Sequence, residues 1–405
     1  MTDLPSFKIN IPDTEINEMR LRLRQTRWAS DPGNETMEYY GISTEYLKDM
    51  VDYWVNEFDW RAVEAKINQF NQHRVAIDGV PIHYIYERSK NPDAIPLLLS
   101  HGWPWTFWDW RKVIGPLTDP AAYGGDPADS FHVVVPSLPG FCFSNPFPDI
   151  DMNHWKMADL FQKLMTETLG FEKYAAGGAD YGALISSCLG HKYAKSLYGI
   201  QIGHELIPPM FQDDRFWDVT SGMTPTGLPP EVYAQVLKFN DTYASHVAVH
   251  QLDGQTLTHG LNDSPAGMLA WLLKRWKKWS DQSVDFATAF PKEHIMTNAT
   301  LFWVTQSIGP SIRIYRNANR FPWKPSHGRQ PQIEAPTGFT FFLGDVFPPG
   351  ATMENRVDIF KSGPAGPWFN TVFTNVHEKG GHFTPWENPD AVIADLRAMF
   401  RNRRN

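Results

Sequence analysis

Basic charge is in short supply in this chain. Against 45 Asp and Glu there are 37 Lys and Arg, a net charge of −8, so no positive field exists to draw in nucleic acid or an anionic membrane. Cysteine is scarcer still: Cys142 and Cys188 are the only two, in unlike contexts. That excludes a disulfide scaffold or a spaced zinc knuckle and fits a reducing compartment. No run of about 18 apolar residues occurs, and Met1-Thr2-Asp3-Leu4-Pro5 shows no basic-then-apolar leader. The expectation is a cytoplasmic protein without a membrane anchor. Internal repeats and low-complexity tracts are also lacking. What the 405 residues do contain is 42% hydrophobic side chains and 16 Trp, 26 Phe and 14 Tyr, enough for a large core and for an apolar site beside it.

The first section reads as helical. Asp13 or Thr14 caps a helix with Ile16, Met19 and Leu23 inward and Arg20, Arg22 and Arg24 on a solvated face. Further helices start at Ser43 or Thr44 and after Asp59. Arg74–Ile77 and Val80–Tyr86 flank Asp78-Gly79, a strong hairpin signal. Short apolar runs at Ile95–Leu99, Phe131–Val135 and Tyr198–Ile202, separated by helical patterns such as Asn153–Leu169, predict a mostly parallel sheet covered on both faces. Strand signal then vanishes from Pro208 to Phe290 and returns at Phe339–Leu343 and Trp368–Phe373. A helix capped by Asn388 with Pro389 in its first turn ends the chain. The expected division is a helical N-terminal extension wrapping the core over 1–90, an α/β core over 91–207, an inserted helical cap over 208–292 and the rest of the core over 293–405.

Gly177-Gly178-Ala179-Asp180-Tyr181-Gly182 joins a strand to a helix with small residues on both sides of an acid. This is the pattern of a nucleophile elbow, with a carboxylate that needs no activating base and would form an alkyl ester by attack on carbon. From these six residues alone, a Gly-rich turn with Asp180 as a helix cap carries equal weight. Strand-end loops add His101 to Trp105, Pro136 to Phe143, Asp345 and His382. Asp180, Asp345 and His382 then run in the order nucleophile, acid, histidine of an α/β-hydrolase. A histidine can take a proton from water, and an acid behind it can hold the ring in the right tautomer. Two metal or cofactor readings fail: His377-Glu378-Lys379-Gly380-Gly381 lacks the second zinc-binding histidine, and Gly177–Gly182 lacks dinucleotide and phosphate-loop spacing.

With these residues the sequence resembles the microsomal-type epoxide hydrolases, α/β-hydrolases with a helical N-terminal extension. The resemblance runs from about Phe7 to the last helix. It rests on Phe58-Asp59-Trp60-Arg61, His101-Gly102-Trp103-Pro104, Pro136-Ser137-Leu138-Pro139-Gly140-Phe141, Gly177-Gly178-Ala179-Asp180, Leu261-Asn262-Asp263-Ser264-Pro265 and Gly380-Gly381-His382-Phe383, all in the family's order. It implies an α/β-hydrolase fold and an enzyme that needs no cofactor or metal. Asp180 would attack an epoxide carbon, and His382 with Asp345 would activate water against the resulting ester. The N–H groups of Trp103 and Tyr181 would form the oxyanion hole, and Tyr315 would be one of two phenols on the epoxide oxygen.

The chain departs from the family in places. An ungapped count puts His246 where the second phenol belongs, with Tyr243 a turn earlier, so both stay candidates. Trp105-Thr106 replaces Gly-Ser, and Tyr181 replaces Trp. For the acid, Glu354 and Glu378 rival Asp345. Trp105, Phe141 and Phe143 are candidate substrate contacts, although Trp103, Trp105, Trp108 and Trp110 serve equally well to pack the extension. The expected partner is a small hydrophobic epoxide, aromatic in one reading, and a homodimer is left open. A haloalkane dehalogenase and a non-catalytic ligand-binding relative are the alternatives.

Overall fold

Nine strands form, the central ones from short apolar runs bounded by turn formers: β1 Ser6–Phe7, β2 Gln72–Ile77, β3 Val80–Glu87, β4 Ile95–Ser100, β5 Phe131–Pro136, β6 Tyr174–Gly178, β7 Leu197–Ile202, β8 Ile333–Phe342 and β9 Phe369–His377. The computed structural model describes residues 4–34, 40–146, 150–211, 229–231, 234, 242, 245–345 and 350–403. The strands form one sheet in the order β1-β2-β3-β5-β4-β6-β7-β8-β9. From β5 to β9 all neighbours pair in parallel, and β1 to β3 add an antiparallel edge. This is the α/β-hydrolase arrangement. Asp78 and Gly79 both have positive φ, 51° and 82°, which matches the tight turn between β2 and β3.

The helix Tyr181–Lys192 is buried along almost its whole length, because it lies between the sheet and the helix His154–Lys163. The expected helix Asn153–Leu169 changes to a π turn over Leu164–Thr168, which a period near 3.6 does not announce. Between β7 and β8 the described elements are helical: Ser245–Leu252, Gly254–Leu261, Pro265–Trp279, Lys292–Val304 and Ile308–Arg320. β8 begins at Ile333, earlier than the apolar run suggests, since a Pro and a Gly sit inside it.

The extension does more than lie on water. Trp54 Nε1 donates to Thr300 Oγ1 at 2.9 Å in the core, and Lys66 pairs with Glu293. The solvated arginine face also needs correction. Arg20 donates to the Phe58 carbonyl at 3.2 Å, and Arg22 bonds Asp263 in the loop before the helix Pro265–Trp279; only Arg24 is fully exposed. A guanidinium here serves as a tie between segments far apart in sequence.

Two glycines report on how closely the layers approach. A β-carbon on Gly182 would overlap the Ser100 carbonyl at the end of β4, whereas one on Gly260, exposed in the helix Gly254–Leu261, would meet nothing within 4 Å. Gly182→Ala is therefore expected to destabilise the fold by about 1–3 kcal/mol through overpacking, and Gly260→Ala to stabilise it by about 0.5–1 kcal/mol through helix propensity. Urea unfolding of both variants checks the pair.

Candidate active site

β6 ends at Gly178, and Asp180 leads straight into the helix Tyr181–Lys192 with φ 52° and ψ −123°. A residue with a β-carbon holds such angles only where its surroundings leave no alternative. Crowding supplies that constraint: β-carbons on Gly178 or Gly182 would strike the Ser100 carbonyl, and one on Gly102 would strike the Asp180 side chain. Asp180 occupies the cap position of the helix, yet its carboxylate makes no capping bond. Instead Oδ1 accepts the Trp103 N–H at 2.8 Å. His101 steadies that loop. Its Nδ1 donates to the Gly102 carbonyl at 2.9 Å, and its Nε2 accepts Leu138 N–H at 3.1 Å. Burial lowers its pKa to about 4, so the ring stays neutral.

His382 reaches the elbow from a loop pinned on both sides. Asp281 accepts Gly380 N–H at 2.8 Å, and Glu387 accepts the N–H groups of Phe383 at 2.9 Å and Asp281 at 2.7 Å. The His382 N–H donates to the Trp279 carbonyl at 3.0 Å. Its Nε2 lies 3.4 Å from Asp180 Oδ2 and its Nδ1 3.9 Å from Asp345 Oδ1, long for hydrogen bonds, as catalytic pairs without substrate often are. Burial opposes charge on the ring, but the two carboxylates outweigh it and raise the pKa from 6.5 to about 9. Both acids are correspondingly held below the usual carboxylate range: burial pushes them up, and His382, joined at Asp345 by His204, more than reverses it.

Sequence reasoning missed His204, which lies two residues beyond β7. Its Nδ1 accepts the Asp180 backbone N–H at 2.6 Å, its Nε2 lies 3.0 Å from Asp345 Oδ2, and its ring stacks on His382 with centroids 4.4 Å apart. The strand-end rule that collected the other loops would have found it had it been applied to this strand. His204, Asp345 and His382 also place ligand atoms within 4.8 Å of one another, the set among the described residues nearest to a metal site. These atoms already face each other as donors and acceptors of protons.

The remaining candidates separate into groups. Asp345 stands beside His382, while Glu354 and Glu378 lie on the exposed surface. Tyr315 and His246 come together, with the phenol oxygen 3.0 Å from Nε2 of the imidazole. Tyr243 falls outside the described residues. Tyr181 packs its ring 5.4 Å from that of Tyr315. Burial, with Asp180 nearby, pushes both phenols well above their ordinary pKa, so both remain donors. The tryptophans divide between the two roles. Trp103 stacks on His246 and meets Tyr315 edge-on, Trp105 meets His382 edge-on, and Trp108 packs on Phe70 of the extension. Phe141 packs on His101 and Phe302. Phe143 packs on Phe7, His83 and Phe107, at the antiparallel edge of the sheet and apart from the ring cluster around Asp180.

Comparison with known proteins finds relatives along the whole chain. Residues 4–110 match the family described as epoxide hydrolase N terminus, and residues 95–202 the alpha/beta hydrolase fold. A provisionally named epoxide hydrolase of Stigmatella aurantiaca is 32% identical across 98% of this chain and 85% of its own. Epoxide hydrolase 1 of Sus scrofa is 26% identical across 96% of this chain and 87% of its own. Among solved structures, the Aspergillus niger epoxide hydrolase superposes with a TM-score of 0.76 at 27% identity, covering 98% of this chain and 96% of that one.

Because the His382 pKa is raised on folding, its charge stabilises the protein fully below about pH 6.5 and ceases to do so as the pH rises through about 9. In a proton-nitrogen NMR titration the ring is expected to stay protonated at pH 7 and discharge near pH 9. In Asp180→Asn, which removes one of the two carboxylates, it should discharge at lower pH.

Proposed function

The chain belongs to the epoxide hydrolase family, and on that premise we propose that it converts a hydrophobic epoxide, aromatic in the favoured reading, to a vicinal diol through an ester on Asp180. One observation carries the proposal: a strained elbow holds the Asp180 carboxylate between the Trp103 N–H, at 2.8 Å, and the His382 imidazole. Oδ1 rests on the N–H, so Oδ2 is the attacking oxygen. It forms a bond to an epoxide carbon as the carbon–oxygen bond of the ring breaks. Tyr315 gives its proton to the departing alkoxide, since burial keeps the phenol protonated until a stronger base meets it. His246, against the Tyr315 oxygen, aligns that phenol or serves as the second donor.

Esterification removes the charge of Asp180, one of the two carboxylates that hold the proton on His382. The imidazole pKa then falls, and the released proton restores the Tyr315 phenol. Neutral Nε2 next takes a proton from water as the water oxygen bonds to the ester carbonyl carbon. The N–H groups of Trp103 and Tyr181 hold the oxyanion, the acyl–oxygen bond breaks, and the proton on Nε2 goes to the diol. Asp345 keeps His382 oriented throughout. Trp103, stacked on His246 and edge-on to Tyr315, and Trp105, edge-on to His382, support the choice of an aromatic epoxide. No cofactor takes part. The two buried free thiols, Cys142 and Cys188, are in keeping with a cytoplasmic enzyme, and among the described residues no helix is long and apolar enough to cross a membrane.

Diol formation from styrene oxide is expected to vanish in Asp180→Ala. In His382→Gln it should be lost as well, with the reaction halted at the ester and a mass adduct on the peptide bearing Asp180. An adduct-free protein with no diol would sink the ester mechanism, and halide release from haloalkanes without diol formation would make the chain a dehalogenase in activity. Tyr315→Phe should slow adduct formation by about 10²–10³, measured in a single turnover with excess enzyme.

A further inference from the structure

His204 does not belong to the elbow, the acid loop or the histidine loop, yet it touches all three. The peptide N–H of Asp180 donates to its Nδ1 at 2.6 Å, so that nitrogen carries no hydrogen. A neutral ring in this tautomer bears its hydrogen on Nε2, which lies 3.0 Å from Asp345 Oδ2, close though poorly aligned. The other oxygen of Asp345 faces His382 Nδ1, and His382 Nε2 faces Asp180 Oδ2. The contacts close into a ring that runs from the nucleophile's backbone through His204, Asp345 and His382 to the nucleophile's own side chain. Stacking at 4.4 Å and 18° holds the two imidazoles face to face, so neither can turn without displacing the other.

Resting on the two-step reading above, we propose that His204 is a positioning residue for ester hydrolysis. It fixes Asp345 against the elbow so that the remaining carboxylate oxygen keeps His382 aimed at the water. Attack on the epoxide needs only the Asp180 carboxylate and the donors on the epoxide oxygen. Hydrolysis needs His382 in one tautomer and one orientation after it has lost the pull of Asp180. Only then is Asp345 the sole carboxylate aligning the ring, and only then does its own restraint matter. The effect of losing His204 therefore falls on the second step.

The kinetic signature separates this role from a structural one. kcat/KM reports the steps through ester formation, and kcat reports hydrolysis where that step limits. With styrene oxide as probe, His204→Phe keeps a stacking ring and loses both nitrogens. Its kcat is expected to fall by about 10–100-fold, the usual cost of losing such an outer partner. KM should fall in parallel, kcat/KM should stay within about threefold of wild type, and the Asp180 adduct should accumulate at steady state. His204→Gln can still reach Asp345 with an N–H, whereas His204→Asn can accept from the Asp180 N–H but falls short of Asp345. Gln is expected to recover kcat better than Asn. Equal losses of kcat and kcat/KM without adduct would show that the residue merely supports the elbow and would overturn the proposal, as would unchanged kinetics in His204→Phe. If His204→Phe fails to fold, as judged by circular dichroism, the order of the Gln and Asn variants decides, and Asn equal to or better than Gln overturns it. The His382→Gln control guards the premise: with no adduct there, the ester reading itself fails, and the two failures are distinct.

Discussion

The close approach of β4 to the elbow is the constraint on which the site depends. The Ser100 carbonyl lies where side chains at 178 and 182 would stand, and Gly102 leaves the room that the Asp180 carboxylate fills. Backbone contact at this crossing forces the positive φ of Asp180 and brings Trp103 N–H onto Oδ1. The same loop then distributes its tryptophans. Trp103 turns toward His246 and Tyr315, Trp105 toward His382, and Trp108 toward the extension. One short segment thus touches Asp180, His382 and the N-terminal extension, and His101 and the Leu138 N–H limit its freedom.

Charge sets the second constraint. Burying an isolated carboxylate is costly, and this site buries two, so each must be paired. His382 faces both and is joined at Asp345 by His204, which raises the His382 pKa and holds those of the acids down. A base protonated at neutral pH looks unsuited to activating water. In the proposed mechanism the contradiction resolves itself, because the first step consumes one of the charges that keep the proton in place. The imidazole turns into a base only after there is an ester to hydrolyse, and an uncharged epoxide meets a carboxylate that is already ionised.

Features written as local pattern were legible in the sequence: the parallel strands around apolar runs, the hairpin at Asp78-Gly79, and the elbow with its small neighbours. Features that arise where distant segments meet were not. The strand-end rule reaches His204 as a candidate, but that it bridges residues 180 and 345 follows only from the parallel neighbours β6, β7 and β8. The carboxylates of Asp281 and Glu387 that pin the Gly380–Phe383 loop were invisible for the same reason. Arg22 reads as part of a solvated face because helical period shows which way a side chain points and not what it will meet. Phe143 shows the converse: its neighbours in sequence lie near the site, and its ring packs on Phe7 and His83 instead.

The proposed ring opening also demands a second donor for the alkoxide, and the arrangement of rings around Tyr315 bears on it. Tyr315 has two such neighbours, with His246 Nε2 3.0 Å from its oxygen and the Tyr181 ring 5.4 Å from its own. If His246 accepts the Tyr315 proton, that phenol cannot donate to the epoxide as well, and the donor must come from elsewhere. If His246 donates instead, the Tyr315 hydrogen is released toward the substrate and the imidazole supports the charge that collects on the phenol oxygen. Stacking on Trp103 at 5.4 Å and 4° fixes the plane of the His246 ring and so the direction of Nε2. Tyr181 also packs on Tyr315, with a phenol that burial and the nearby carboxylate keep protonated. In the proposed mechanism His246 orients Tyr315, and Tyr243, outside the described residues, stays the other candidate for the second donor.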